Sequence, residues 1–199
     1  MTASAGRIGP NAIIQTAAAL RARVGEVHAQ ALVVGATGRG LGALPTEMVD
    51  EAEVNRLVRA LAHDLDPALF EAVLRDAGRR TADYLMAHRI PRLAQRLMGL
   101  LPPALALRVL LAGIMRHTWT FAGSAAVTLR RPRGAPLTLE MRHCPMCRGM
   151  RTGTATCHFY AATLEHLLTT LVTPAARVVE TSCEATGGPA CAFALRLRG

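Results

Sequence analysis

No lysine occurs in this chain; its 23 basic residues are all arginine. That excludes a lysine Schiff base and a P-loop lysine, because both chemistries need the ε-amine. Aromatic residues are scarce, 4% of the chain with a single Trp, so leucine, alanine and valine must fill the core. The opening residues MTASAGRIGPNAIIQ lack the basic segment followed by an apolar segment that marks a secretory leader, and a cytoplasmic protein is expected. No segment reads as a membrane span. The most apolar stretch, residues 93–115, is interrupted by Arg96, Pro102, Pro103 and Arg108, and no piece reaches the roughly 20 apolar residues a bilayer needs. Internal repeats and low-complexity linkers are absent as well.

Apolar residues make up 51% of 199, enough for a sizeable core and too many for a globally disordered chain. The net charge of +9 attracts carboxylates, phosphates, nucleic acid or anionic lipid without choosing among them. No recognition-helix motif and no interleaving of aromatic and basic residues accompanies that charge, so a nucleic-acid partner is not expected. A peripheral contact with a membrane surface stays open.

The first two-thirds is helical in pattern. Apolar periodicity marks residues 12–23 and 26–34, and the glycine-rich piece 35–42 follows. Thr46 or Asp50 can cap the next helix, where Val54, Leu57, Val58 and Leu61 recur at helical spacing. Asp66 and Pro67 form an N-cap with proline in the first turn, and helices over 91–100 and 103–115 come after. From His117 the period changes. Residues 118–131 alternate through Trp119, Phe121, Ala125, Val127 and Leu129, a turn spans 131–134, and 137–141 alternates again, which reads as a hairpin. A loop over 143–149, a helix over about 155–171, and two strands around a Gly187-Gly188-Pro189 turn complete the chain. The expected class is α+β, a helical layer packed on an antiparallel sheet, with a mainly helical part over 1–110 and an α+β part over 111–199 in one compact unit.

Residues 31–38, ALVVGATG, have the look of a dinucleotide-binding strand and glycine turn. That fold needs its third glycine in register and a helix directly at the phosphates. Here position 41 is Leu, Gly40 and Gly42 are out of register, and Pro45 intervenes. A flexible loop between helices is expected instead.

The densest chemistry lies in the last third. Five cysteines in a cytoplasmic chain read as metal ligands, redox groups or core thiols. Cys157 begins a helix, Glu180 ends a strand, Cys183 follows in the loop, and the glycine turn can bring Cys191 back beside Cys183. Three thiolates and a carboxylate would make a closed tetrahedral set that ties helix to hairpin; buried apolar thiols are the alternative. Cys144 and Cys147 form a C-x-x-C beside His143, with no second C-x-x-C to complete a zinc site and no βαβ setting for thioredoxin-like chemistry, so they read as thiols of a mobile loop.

The run from Cys157 through CHFYAATLE, then VETSCEATGGPACAF over 179–193, resembles the 4-vinyl reductase domain, which also serves as the ligand-sensing module of phenol-responsive activators. Arg7-Ile-Gly-Pro-Asn-Ala-Ile, Met48-Val-Asp-Glu-Ala-Glu-Val and Pro145-Met-Cys-Arg-Gly extend the resemblance over essentially the whole chain, to the bacteriochlorophyll 4-vinyl (8-vinyl) reductase family. The resemblance implies structural zinc on Cys157, Glu180, Cys183 and Cys191, a homodimer, and bacteriochlorophyll-pathway enzymes as partners. In this chain the apolar helix over residues 12–20 could pack on the second copy. The resemblance also implies a chlorophyll precursor as ligand. Vinyl reduction needs a hydride or electrons, and no credible NAD(P), flavin or iron–sulfur motif is legible. The residues therefore favour a carrier or accessory factor that binds a protochlorophyllide-type Mg-tetrapyrrole in a large apolar cavity; the alternative is the 8-vinyl reductase itself, acting on divinyl protochlorophyllide or chlorophyllide. Candidate ligand contacts are His143 first, because a loop can approach Mg, then His117, Trp119 and His158, with Arg148 for a propionate.

Overall fold

A computed structural model describes residues 6–131 and 133–197. The turn expected over 131–134 includes Pro132, and the leader reading includes residues 1–5; both lie partly outside the described residues. Helix α1 spans Asn11–Val24 and α2 Glu26–Thr37. Helix α3, Glu51–Asp64, starts where the Asp50 carboxylate accepts the Ala52 amide proton, and α4, Pro67–His88, where Asp66 accepts that of Leu69. The proline-initiated helices α5, Arg92–Leu100, and α6, Pro103–Arg116, follow.

The sheet is antiparallel, built from β3 (Ala126–Arg130), β4 (Leu137–Arg142), β5 (Arg177–Ser182) and β6 (Cys191–Arg196) in the order β3-β4-β6-β5. Helix α7, His158–Leu171, connects its two hairpins. The sheet interior is set by register: Leu139 lies opposite both Leu129 and Phe193, and Met141 opposite Cys191. Leu139, Met141 and Phe193 are fully buried. A pair of two-residue strands, β1 (Arg7–Ile8) and β2 (Val49–Asp50), escapes the sequence reading, because two residues carry no readable period. One continuous apolar cluster runs from Ile8 through all the helices to Leu195. The α+β class therefore holds.

Helix α4 is the spine of the helical layer, packing on α1 and, more broadly, on α7. Ile13, Thr16, Ala17 and Leu20 of α1 are buried within the chain itself, so the α1 face expected to pair with a second copy is already covered. The stretch 31–37 is helical throughout, closed by Gly38 in the left-handed region. The glycine-rich piece thus begins later than its composition suggests, and the NAD-like motif sits on a helix. Residues 118–120 form a 3-10 turn rather than the start of a strand. The reason is tertiary: the Tyr160 hydroxyl donates to the Phe121 carbonyl at 2.7 Å and the Gly9 amide to that of Thr120, folding the segment back before β3 can begin. Among the described residues no helix is long and apolar enough to cross a membrane.

Candidate metal centre

Strand alternation alone would turn Glu180 and Cys183, three residues apart, to opposite faces of β5. A bulge between Glu180 and Ser182 resets the parity. Glu180 pairs with Phe193 and so shares the face of Cys191, whereas Ser182 pairs with Ala192 on the other face. Cys183 then returns to the side of Cys191. The turn that follows is tight: Gly187 has φ +86°, and a Cβ at Gly188 would fall on the Ser182 hydroxyl and 2.8 Å from the Cys183 carbonyl oxygen. Cys157 is the residue before α7, so its thiol sits at the positive end of a 14-residue helix.

The four donors read from the sequence do converge. One ligand atom each from Cys157, Glu180, Cys183 and Cys191 lies within 4.8 Å of every other. The Cys157 and Cys191 sulfurs are 3.5 Å apart, and those of Cys191 and Cys183 are 3.9 Å apart. Glu180 Oε2 accepts the Cys157 amide proton at 3.0 Å, while its Oε1 is buried and has no hydrogen-bond partner. Burial, reinforced by hydrogen bonding to Cys183, pushes the Glu180 carboxyl up to about 9. A buried carboxyl in that state and an orphaned oxygen are what a divalent cation corrects, since its charge favours the ionised donors. The residues present therefore fit a metal ion, and four protein donors leave no position for water, which suits a structural role.

The C-x-x-C departs from the expectation of mobile loop thiols. Cys144 and Cys147 are 0% and 1% exposed. Their sulfurs contact Cys157 at 3.5 Å and Cys191 at 3.3 Å, and the four thiols form a second convergent set within 4.8 Å. The loop is held from three sides. Glu184 accepts the His143 and Cys144 amide protons, both at 2.7 Å. The Asn55 amide of α3 donates to the Pro145 and Arg148 carbonyls. Arg148 pairs with Glu51 at 2.5 Å and donates to the Ser124 hydroxyl and the His143 carbonyl. Every one of these partners except His143 is distant in sequence, so no local signal could have reported them.

Arg148 is consequently an internal clamp, with its guanidinium engaged. Burial alone would push Glu51 up, but the Ser124 hydroxyl and amide and Arg148 outweigh it and hold the carboxyl below its ordinary value. A depressed carboxyl contributes stability that is full above its unfolded pKa and lost as pH falls through the folded one. Urea midpoints measured down through pH 4 should fall for the natural protein and fall less steeply for Glu51→Gln.

The other candidate ligand residues do not share one cavity. His158 lines a cavity of about 180 Å³ with Arg75, Ala155, Ala161, Val178, Val179 and Glu180, and none of the other four is there. Burial lowers the His158 pKa, opposed by Glu71. His143 is exposed, at φ 60°. His117 and Trp119 are exposed at the end of α6, with the His117 Nδ1 2.8 Å from the Gly113 carbonyl oxygen. A larger cavity of about 600 Å³ is lined by Arg7, Arg39 and three carboxylates, Glu47, Asp50 and Glu53, among others. Its walls are polar, unlike the expected apolar pocket.

Residues 137–197, which hold all six of these sulfur and carboxylate donors, match the vinyl-4-reductase (V-4-R) domain. Over nearly its whole length the chain is 42% identical to the "Bacteriochlorophyll synthase 23 kDa chain" of Cereibacter sphaeroides, covering 99% of this chain and 94% of that one. The chain belongs to the family of bacteriochlorophyll synthase 23 kDa chains. A protein of the same name from Rhodobacter capsulatus is 35% identical, over 97% of this chain and 88% of its own. Among solved structures, the crystal structure of an Fe(II) unliganded H-NOX protein mutant from K. algicida superposes with a TM-score of 0.56, covering 96% of this chain and 97% of that one. At 11% identity that likeness is one of fold. In this bacteriochlorophyll synthase 23 kDa family member, the resemblance read from the sequence and the domain match coincide on the same hairpin.

Proposed function

We propose that the protein binds a Mg-tetrapyrrole of the protochlorophyllide type in bacteriochlorophyll biosynthesis, as a carrier or accessory factor for vinyl reduction or a neighbouring step. The observation that carries this reading is identity along nearly the whole chain to relatives named as a bacteriochlorophyll synthase subunit. The metal at Cys157, Glu180, Cys183 and Cys191 is zinc in this reading, and its role is to fix the hairpin on α7. The continuous core supports treating residues 1–110 and 111–199 as one unit.

Size discriminates among the ligand candidates. Small-molecule sites run to about 300–1,000 Å³, so the cavity of about 180 Å³ beside His158 is too small for a macrocycle. His117 has the better geometry. Its Nδ1 is held by the Gly113 carbonyl, which leaves Nε2 free as an axial ligand, and Trp119, 60% exposed, offers a face for stacking. His143 is the second ligand candidate. Leu93, Leu97 and Leu100 of α5 also point outward, flanked by exposed Arg89, Arg92 and Arg96. Such a face suits an anionic membrane surface, where a pigment carrier would work, and co-flotation with anionic vesicles tests that contact.

Titration of the purified protein with divinyl protochlorophyllide in the presence of NADPH tests the carrier reading. The pigment absorbance should shift while the pigment itself is recovered unchanged. His117→Ala should weaken binding about tenfold, the equivalent of 1.4 kcal/mol. An unshifted spectrum would sink the binding claim. Monovinyl product made by the pure protein would replace the carrier with the reductase.

A further inference from the structure

We infer that the cysteine cluster holds two metal ions rather than one, bridged by the Cys157 and Cys191 thiolates. This rests on the metal reading of Cys157, Glu180, Cys183 and Cys191 and adds a second site to it. The two donor sets have Cys157 and Cys191 in common. One ion takes Cys157, Cys191, Glu180 and Cys183; the other takes Cys157, Cys191, Cys144 and Cys147. The result is two tetrahedra sharing an edge.

The spacing agrees. A zinc–sulfur bond of about 2.3 Å sets sulfurs about 3.8 Å apart along a tetrahedral edge. The contacts here are 3.5 Å for Cys144–Cys157, 3.3 Å for Cys147–Cys191, 3.5 Å for Cys157–Cys191 and 3.9 Å for Cys191–Cys183. Each set lies within 4.8 Å, a span that suits one ion at its centre. The second site is also built. Buried cysteines can serve simply as small apolar residues, but that role needs no fixture. Here Glu184, Asn55 and the Glu51–Arg148 pair fix the backbone on both sides of the C-x-x-C.

Charge follows the same count. Each coordinating thiol gives its proton to solvent, with no change of oxidation state. Five thiolates and one carboxylate carry −6, so one divalent ion leaves −4 and two leave −2. The surroundings favour that remainder, because the α7 N-terminus lies at Cys157 and the Glu184 amide donates to the Cys191 sulfur at 3.4 Å. A second ion would also extend the staple. The first joins α7 to β5 and β6; the second adds the loop that leaves β4.

Metal content of the full-length protein, loaded with zinc and freed of loosely bound metal, tests this directly. Two zinc per chain are expected, falling to one in Cys144→Ser/Cys147→Ser and to one in Glu180→Gln/Cys183→Ser. Cadmium-113 NMR of the natural sequence keeps the test independent of variant folding: it should show two thiolate-bound signals coupled through the shared sulfurs. One zinc per chain, unaltered by Cys144→Ser/Cys147→Ser, would overturn the second site and leave the first standing. One zinc that is lost with Cys144 and Cys147 but kept without Glu180 and Cys183 would overturn both the two-ion cluster and the first assignment. No zinc at all would remove the metal reading entirely.

Discussion

Cys191→Ser is expected to strip the protein of bound metal and to destabilise it by roughly 4 kcal/mol. For a chain of this size that corresponds to a fall on the order of 10 °C in thermal midpoint. Cys191 belongs to both donor sets and is fully buried at the start of β6, opposite Met141. Serine there keeps the volume nearly constant but binds zinc poorly and leaves a hydroxyl in a pocket of thiols. The other donors are then left crowded, and Glu180 retains a buried oxygen without a partner. Cys183→Ser, which touches one set only, should cost less. Metal analysis and calorimetry on the two variants check the order. Equal metal content and an unshifted midpoint in Cys191→Ser would show that the thiols are merely packed together.

Gly78→Ala sets two effects against each other. In an exposed helix the change gains up to about 1 kcal/mol, because alanine is the better helix former. Gly78 lies instead in the contact between α4 and α7. A Cβ there would fall on the Phe159 carbonyl oxygen, 2.9 Å from the Ala162 Cβ and 3.0 Å from the Thr163 nitrogen. Two of those three atoms are backbone and cannot rotate aside. The helices must part, which costs about 1–3 kcal/mol for overpacking and loosens the bond from the Thr163 hydroxyl to the Gly78 carbonyl. A net loss of about 2 kcal/mol is expected for alanine, and more for Gly78→Val. Phe159 stands two residues from Cys157, so the separation should also weaken metal retention. Urea unfolding with and without a chelator measures both. A stabilised Gly78→Ala would mean that α4 and α7 are less closely packed than their backbones indicate.

Legibility in the sequence followed the range of the interaction. Asp50 and Asp66 announced their helices because a capping carboxylate acts within three residues. The donor set Cys157, Glu180, Cys183 and Cys191 was legible from chain spacing and family resemblance, since a strand end, a glycine turn and a returning strand are local devices. Cys144 and Cys147 were misread as mobile because their partners, Cys157 and Cys191, are 13 and 44 residues away. Arg148 was assigned to a ligand because nothing near it in sequence reveals Glu51, 97 residues earlier.

The sequence by itself determined the α+β class, the helix starts and the hairpin that presents three thiols and a carboxylate. Proline, capping side chains, glycine turns and hydrophobic period act over a few residues, and they do so whatever the rest of the chain does. Only the tertiary structure decided which thiols meet, which arginine is free, and that the α1 face is buried at home. Those outcomes depend on how α3, α4 and the sheet close over one another, a global packing of a continuous core that no local spacing encodes.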